Sequence, residues 1–172
     1  NLSLLKKSLK SVLQQSYNNF EIIIINDNPK KNLNLALKSM LINSKKIKII
    51  NNKINCGAGL SRNKGIKHST GDYIAFLDSD DIWNKKKLET QIMFMKNKNI
   101  LASHTSYQIM NETNRIISRR DAEKLEYKNL LNSCDIGLST VMVEKKIFNN
   151  QIKFPKLKTK EDYVLWLRIA RK

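Results

Sequence analysis

The stretch that most limits what this chain can fold into is Gly71-Asp72-Tyr73-Ile74-Ala75-Phe76-Leu77-Asp78-Ser79-Asp80-Asp81-Ile82-Trp83-Asn84-Lys85. Gly71 breaks the preceding segment, and Tyr73 to Leu77 is an apolar, β-prone run of strand length. It ends in three carboxylates within four positions, Asp78, Asp80 and Asp81. A buried strand that delivers three like charges to one sheet edge creates strong repulsion in a low-dielectric cleft. An oxygen-preferring divalent cation, Mg2+ or Mn2+, relieves that repulsion and keeps coordination positions open for phosphate oxygens. A strand running into a helix N-terminus also favours Asp, through capping and the helix dipole, and accounts for Asp81 without any ligand.

At 172 residues the chain is long enough for one domain with a sizeable core, expected to span 1–172. No apolar run approaches the roughly 18 residues of a membrane span. The N-terminus enters an amphipathic pattern directly, without a leader peptide, and starts at Asn1 rather than Met, as a piece of a longer protein would. Cys56 and Cys134 have no paired spacing, which argues against a disulfide framework or a zinc site and fits a reducing, cytoplasmic setting. The net charge of +17 invites a nucleic-acid partner. Composition argues against it: six of the 32 basic residues are Arg, the usual residue for bidentate phosphate and base recognition, and the Lys are scattered along the chain. Attraction to an anionic membrane surface, at about 1 kcal/mol per nearby Lys, fits that scatter better.

Taken in order, Leu5, Leu9, Val12 and Leu13 predict an amphipathic helix over 3–15. Phe20 to Ile25 reads as a strand buried on both faces, as in a parallel sheet, and ends in Asn26-Asp27-Asn28-Pro29. Asp27 thus sits at the C-terminal edge of a strand, where open α/β sheets bind ligands, although a turn or cap role suits it equally. Leu33, Leu37, Met40 and Leu41 mark a second helix, and Ile47 to Ile50 a short strand. After a polar loop, a helix is expected over 58–68, with Gly57 and Gly59 permitting close approach of a backbone or ligand and Arg62 free to aim at a diphosphate or at solvent. The glycine spacing is not that of a dinucleotide fingerprint. A helix over 84–97 follows the acidic strand, with Trp83 packed at the corner. Residues 123–132 read as helix, Ser139 to Val143 as strand, and Glu161-Asp162 opens a last helix carrying Leu165, Trp166 and Ile169. His68 and His104 stand alone, and Tyr73, Phe76, Trp83 and Trp166 read as core.

Together these pieces resemble the family 2 glycosyltransferases, of the GT-A fold. The resemblance rests on Ile22 to Pro29, Gly57 to Ile66, Gly71 to Trp83 and Lys160 to Ala170, which span nearly the whole chain. It implies an α/β fold with a Rossmann-like, mostly parallel central sheet flanked by helices. Residues of about 1–99 would form the nucleotide-sugar half and about 100–172 a smaller acceptor-side half. It implies that Asp27 reads the nucleotide base, that Arg62 lies near the nucleotide, that Asp78 contacts the ribose side, that Asp80 binds Mn2+ or Mg2+, and that Asp162 is the catalytic base with Glu161 in support. The family pattern also has a strand before the first helix, absent from this chain, and a Gly-Ser pair where this chain has Asn28-Pro29.

The activity implied is an inverting, metal-dependent transfer from a nucleotide-diphosphate sugar, UDP-sugar favoured, to a hydroxyl of a saccharide or lipid-linked saccharide. The setting implied is surface polysaccharide or glycolipid synthesis, in the cytoplasm or at the inner face of the membrane. Two rivals stand beside it. One is a nucleotidyltransferase, which lacks its expected Gly-rich phosphate loop here. The other is a truncated or inactive transferase-like module that binds nucleotide sugars.

Overall fold

The computed structural model describes residues 1–42, 44–111, 113, 115–124, 126–133 and 135–171; Cys134 lies outside them. Helix α1 (Leu2–Leu13) opens on Asn1, whose side chain accepts the Ser3 N–H. Strand β1 (Ile22–Asn26) follows, then two short helices, α2 (Leu33–Ala36) and α3 (Lys38–Ile42), where the sequence predicts one. The break falls at Leu37, which is fully buried. Strand β2 (Ile47–Asn51) pairs with β1 in parallel, Ile22 opposite Ile47 through Asn26 opposite Asn51. Helix α4 (Ala58–His68), over the span its pattern predicts, packs on β1.

Strand β3 (Tyr73–Ala75) leads through the acidic turn to helix α5 (Lys87–Lys98). Then come β4 (Ala102–Ser103), the hairpin of β5 (Tyr107–Met110) and β6 (Ile116–Arg120), helix α6 (Tyr127–Asn132), a 3-10 turn at Leu138–Thr140, strand β7 (Met142–Glu144), a 3-10 turn at Lys145–Ile147, and helix α7 (Glu161–Ala170). Among the described residues, parallel pairing is confined to β1 and β2. Strand β7 enters antiparallel between β3 and β4 to make a three-stranded sheet.

Strand β1 was expected to be buried on both faces, yet Ile22 to Ile25 are only half-buried. Among the described residues, that strand has one ladder partner, β2. Strand β3 is shorter than its apolar run. The Phe76 N–H still bonds the carbonyl of Val141, the residue before β7, but the Asp78 N–H turns to a side chain, Ser139 Oγ.

The main core joins the two halves of the chain. Phe76 meets Phe154 edge-on at 5.3 Å and 89° and lies 6.1 Å from the Trp166 ring; Leu165, Ile152 and Val143 close around them. Such aromatic contacts add about 0.5–1.5 kcal/mol each beyond burial. A second cluster of Leu88, Ile92, Met95 and Met142 packs with Tyr73 and Trp83.

Helix α4 approaches the chain before α7 so closely that one of its glycines has no room for a side chain. A Cβ on Gly59 would lie 2.9 Å from the Pro155 carbonyl oxygen, 3.1 Å from Glu161 Cγ and 3.3 Å from Phe154 Cβ. A Cβ on Gly65, on the same helix, meets Ile25 Cγ1 at an ordinary 3.6 Å. The same substitution should therefore act in opposite directions. In urea unfolding, Gly59→Ala should cost about 1–3 kcal/mol, whereas Gly65→Ala should gain about 0.5–1 kcal/mol. Equal effects at both positions would refute the close approach.

Lys87, at the start of α5, is buried with its Nζ 4.3 Å from the Trp83 ring centroid and 2.8 Å from Gln91 Oε1. Burial pushes its pKa down from 10.5 to about 7. Below the lower value both the folded and unfolded chains carry the proton. Between the two values the unfolded chain binds a proton that the folded chain has released, so stability rises with pH. The unfolding free energy should climb from about pH 7 to about pH 10 relative to Lys87→Met. A pH-independent difference between the two proteins would show that Lys87 stays charged in the fold.

Candidate active site

Asp27 follows β1 and faces the start of α4. Its Oδ1 accepts from Asn52 Nδ2 at 2.8 Å and from the Cys56 N–H at 2.8 Å; its Oδ2 accepts from the Gly57 N–H at 2.8 Å. Gly57 adopts a φ of 84° with open space where a Cβ would stand, so backbone conformation alone demands glycine there. Burial pushes the Asp27 carboxyl up, but the donors from Asn52, Cys56 and Gly57 more than offset it and hold its pKa below the usual Asp value. The positive end of the α4 dipole favours the same ionised form.

Arg62, one turn into α4, joins two carboxylates that are far apart in the chain. Its Nη2 lies 2.9 Å from Asp78 Oδ1, its Nη1 lies 2.6 Å from Glu161 Oε1, and its guanidinium rests 5.4 Å from the Phe154 centroid. The turn Asp78-Ser79-Asp80-Asp81 closes with the Asp81 N–H on the Asp78 carbonyl. The Asp78 pKa is raised, first by burial and then by the charges of Asp81 and Asp80, against the pull of Arg62. One guanidinium thus leaves this turn with negative charge to spare.

Among the described residues, no three His, Cys, Asp or Glu side chains converge as a ready-made metal cage. A cation of the Mg2+ type does not require one. It keeps several waters and binds through one or two carboxylates plus substrate phosphates. The exposed Asp80 beside the under-compensated Asp78 fits that donor set.

Helix α7 presents its first two residues in different directions. Glu161 is buried against Arg62. Asp162 lines a cavity of about 310 Å³ with Asn132, Ser133, Ile136, Lys160 and Tyr163. Asp162 Oδ1 accepts the Tyr163 N–H at 2.8 Å, and Tyr163 Oη donates to the Leu130 carbonyl, tying α7 to α6. A larger hollow of about 410 Å³, lined by Leu13, Ser39, Met40, Ser44 and Lys46, contains none of these acids.

The structure therefore brings Arg62 and Asp78 into contact, with Asp80 two positions along the same turn and Asp162 next to Glu161, the second carboxylate that Arg62 holds. Asp27 stands apart, at the head of the helix that carries Arg62, and neither it nor Asp80 lines the Asp162 cavity. Sequence reasoning missed Asn52 and Phe154, and gave Glu161 only a supporting part without seeing its ion pair. Gly59, read in the sequence as permitting close approach of a backbone or ligand, is the local sign of the contact that α4 makes with residues 154–161.

The family model for Glycosyl transferase family 2 matches residues 2–152. The chain belongs to that family. It is 39% identical over 165 residues to the UDP-Glc:alpha-D-GlcNAc-diphosphoundecaprenol beta-1,3-glucosyltransferase WfgD of Escherichia coli, covering 95% of this chain and 63% of the relative. It is 32% identical over 170 residues to the putative teichuronic acid biosynthesis glycosyltransferase TuaG of Bacillus subtilis, covering 98% and 67%. Among solved structures, S. aureus TarS residues 1–349 with UDP superimposes with a TM-score of 0.75 at 22% identity, over 96% of this chain and 51% of that one. The mannosyltransferase PcManGT of Pyrobaculum calidifontis, solved with GDP-Man and Mn2+, gives a TM-score of 0.75 at 12% identity, over 99% and 49%. The fold is GT-A, and the chain spans about half the length of these solved neighbours.

Glu161 is 8% exposed, so losing its guanidinium partner strands a buried charge. Arg62→Met should cost about 2–4 kcal/mol in denaturant unfolding, and adding Glu161→Gln should recover most of that loss. Strictly additive losses would show that the pair is not coupled.

Proposed function

We propose that this chain is the donor-binding and catalytic portion of an inverting, metal-dependent glycosyltransferase. It would move a sugar from a nucleotide-diphosphate sugar to an acceptor hydroxyl in surface polysaccharide or glycolipid synthesis. The observation that carries this reading is the Arg62 clamp, which ties the Asp78 turn to the helix end bearing Asp162. UDP-sugar is the favoured donor, because the Escherichia coli relative uses UDP-Glc and TarS was solved with UDP. A lipid-linked saccharide is the favoured acceptor, by analogy with that same relative.

In this reading Asp27 receives the nucleotide base. Its Oδ2 accepts the Gly57 N–H, and a carboxylate oxygen has a further lone pair that can accept a base N–H. Asp78 and Arg62 bound the ribose and diphosphate. Asp80, with water and phosphate oxygens, would hold Mn2+ or Mg2+, which supplies Lewis-acid neutralisation of the departing diphosphate. Asp162 takes the proton of the acceptor hydroxyl as that oxygen attacks the anomeric carbon; the carbon–diphosphate bond breaks and configuration inverts. Among the described residues Asp162 Oδ2 has no hydrogen-bond partner, so it is free to accept that proton. Residues of about 1–99 serve the donor and about 100–172 the acceptor. No described helix is long and apolar enough to cross a membrane. The net charge of +17 suits peripheral contact with an anionic inner membrane face.

The test is UDP-sugar turnover and UDP binding, each with and without Mn2+. Asp80→Ala should lose the metal-dependent part of UDP binding. Asp162→Ala should keep it while turnover falls about 10²–10⁴-fold. Wild-type turnover in Asp162→Ala removes that residue as the base, and metal-dependent UDP binding without turnover in the unaltered chain favours a nucleotide-sugar-binding module instead.

A further inference from the structure

Helix α1 and the chain just after it bury a polar stripe. Ser8 is 4% exposed and Ser11 8%, at i and i+3 on one face of α1, and Gln15, two residues past the end of the helix, is 4% exposed. Buried hydroxyls and amides cost free energy unless they are hydrogen-bonded. Apart from two bonds back into the helix, Ser11 Oγ to the Ser8 carbonyl and Gln15 Nε2 to the Ser11 carbonyl, this stripe bonds one target. Ser8 Oγ donates to the Asp78 carbonyl at 3.3 Å. Ser11 Oγ accepts the Trp83 N–H at 3.1 Å. Gln15 Nε2 donates to the Asn84 carbonyl at 2.7 Å, while its Oε1 accepts the Leu88 N–H at 3.0 Å. Beyond the helix, the Ser16 N–H reaches the Lys85 carbonyl at 2.9 Å and Ser16 Oγ reaches Glu89 Oε2 at 2.7 Å.

The segment held in this way is the acidic turn and its run into α5. It has little regular structure of its own, and its backbone groups are satisfied from outside. From the opposite side, Ser139 Oγ accepts the Asp78 N–H at 2.9 Å and the Ser139 carbonyl accepts Trp83 Nε1–H at 2.7 Å. The acidic turn therefore sits between two jaws, α1 and residue 139. One jaw is a helix with no carboxylate of its own facing the turn.

We propose that Ser8, Ser11 and Gln15 are positioning residues: they fix the Asp78–Asp81 turn in the geometry that receives a cation-bound nucleotide diphosphate, without touching it. This rests on the reading that the turn binds the donor through a divalent cation. The physical reason is geometric demand. Octahedral ions at short oxygen distances tolerate little ligand displacement, and a shift of about 1 Å in a positioned group costs on the order of 100-fold.

The experiment compares Ser11→Ala, Gln15→Met and the packing control Leu9→Ala with the unaltered chain. Three readouts are used: thermal unfolding, amide exchange at Trp83 and Leu88 without ligand, and UDP affinity with and without Mn2+. Ser11→Ala and Gln15→Met should speed exchange at their own amide targets and weaken UDP binding about tenfold in Mn2+ while leaving metal-free binding unchanged. Leu9→Ala should lower the melting temperature without changing the ratio of the two affinities. The proposal is overturned if the stripe variants lose affinity equally with and without metal, or if Leu9→Ala reproduces their pattern. An unaltered chain that binds no UDP in Mn2+ would instead sink the functional reading, and the exchange arm would still decide whether α1 holds the turn.

Discussion

A single guanidinium shared between one half-buried and one buried carboxylate sets the geometry of the candidate site. Arg62 reaches 16 positions forward to Asp78 and 99 positions forward to Glu161. Desolvating three charged groups is unfavourable, and an arrangement of this kind persists only with good geometry and additional contacts. Both conditions hold here. Each nitrogen–oxygen distance is that of a charge-assisted bond, and the guanidinium face has the Phe154 ring beside it. The fold must also bring α4 against residues 154–161 at backbone contact distance, which is why Gly59 has no space for a methyl group. The ion pair and the missing side chain are two sides of one constraint.

The same logic separates the two acids at the start of α7. Adjacent helical residues point about 100° apart. One of them can be spent on the clamp while the next remains at a cavity. Glu161 is the acid whose charge is consumed by structure; Asp162 is the acid whose charge is not. An identical local sequence without Arg62 opposite would have no reason to bury the first acid, and both would sit at the helix end as ordinary dipole partners.

Much of this was legible in the residues, because periodicity and turn chemistry are local. The α4 span, the β2 strand and the opening of α7 at Glu161 follow from spacing, Gly placement and acidic first-turn residues. What spacing cannot show is where a side chain finds a partner far along the chain. The α1 pattern was read through its leucines, yet the structure buries Ser8 and Ser11 beside Leu9 and Val12, while Leu5 and Leu13 are half-exposed. A hydroxyl reads as a surface group until something distant needs it. Helix α5 begins at Lys87 rather than near 84 for the same reason. The Asn84 carbonyl is already bonded by Gln15, and that side chain also takes the Leu88 N–H that would otherwise be a free donor of the first turn.

These long-range polar contacts matter because the strands alone do not connect the segments that carry the candidate acids. Asp27 follows a strand of the β1–β2 pair, and Asp78 follows a strand of the β3–β7–β4 sheet. Among the described residues, no ladder hydrogen bond joins those two sheets. In open α/β folds, ligands sit beyond the C-terminal ends of strands, so a ligand that spans both acids must bridge separate sheets. The distance between them is fixed by α4, which packs on β1, bonds Asp27 at its head and grips Asp78 one turn later. A helix held by carboxylates at its head and one turn further on is a stiffer spacer than a loop. It lets two short sheets present their acids at a defined separation without a continuous backbone ladder between them.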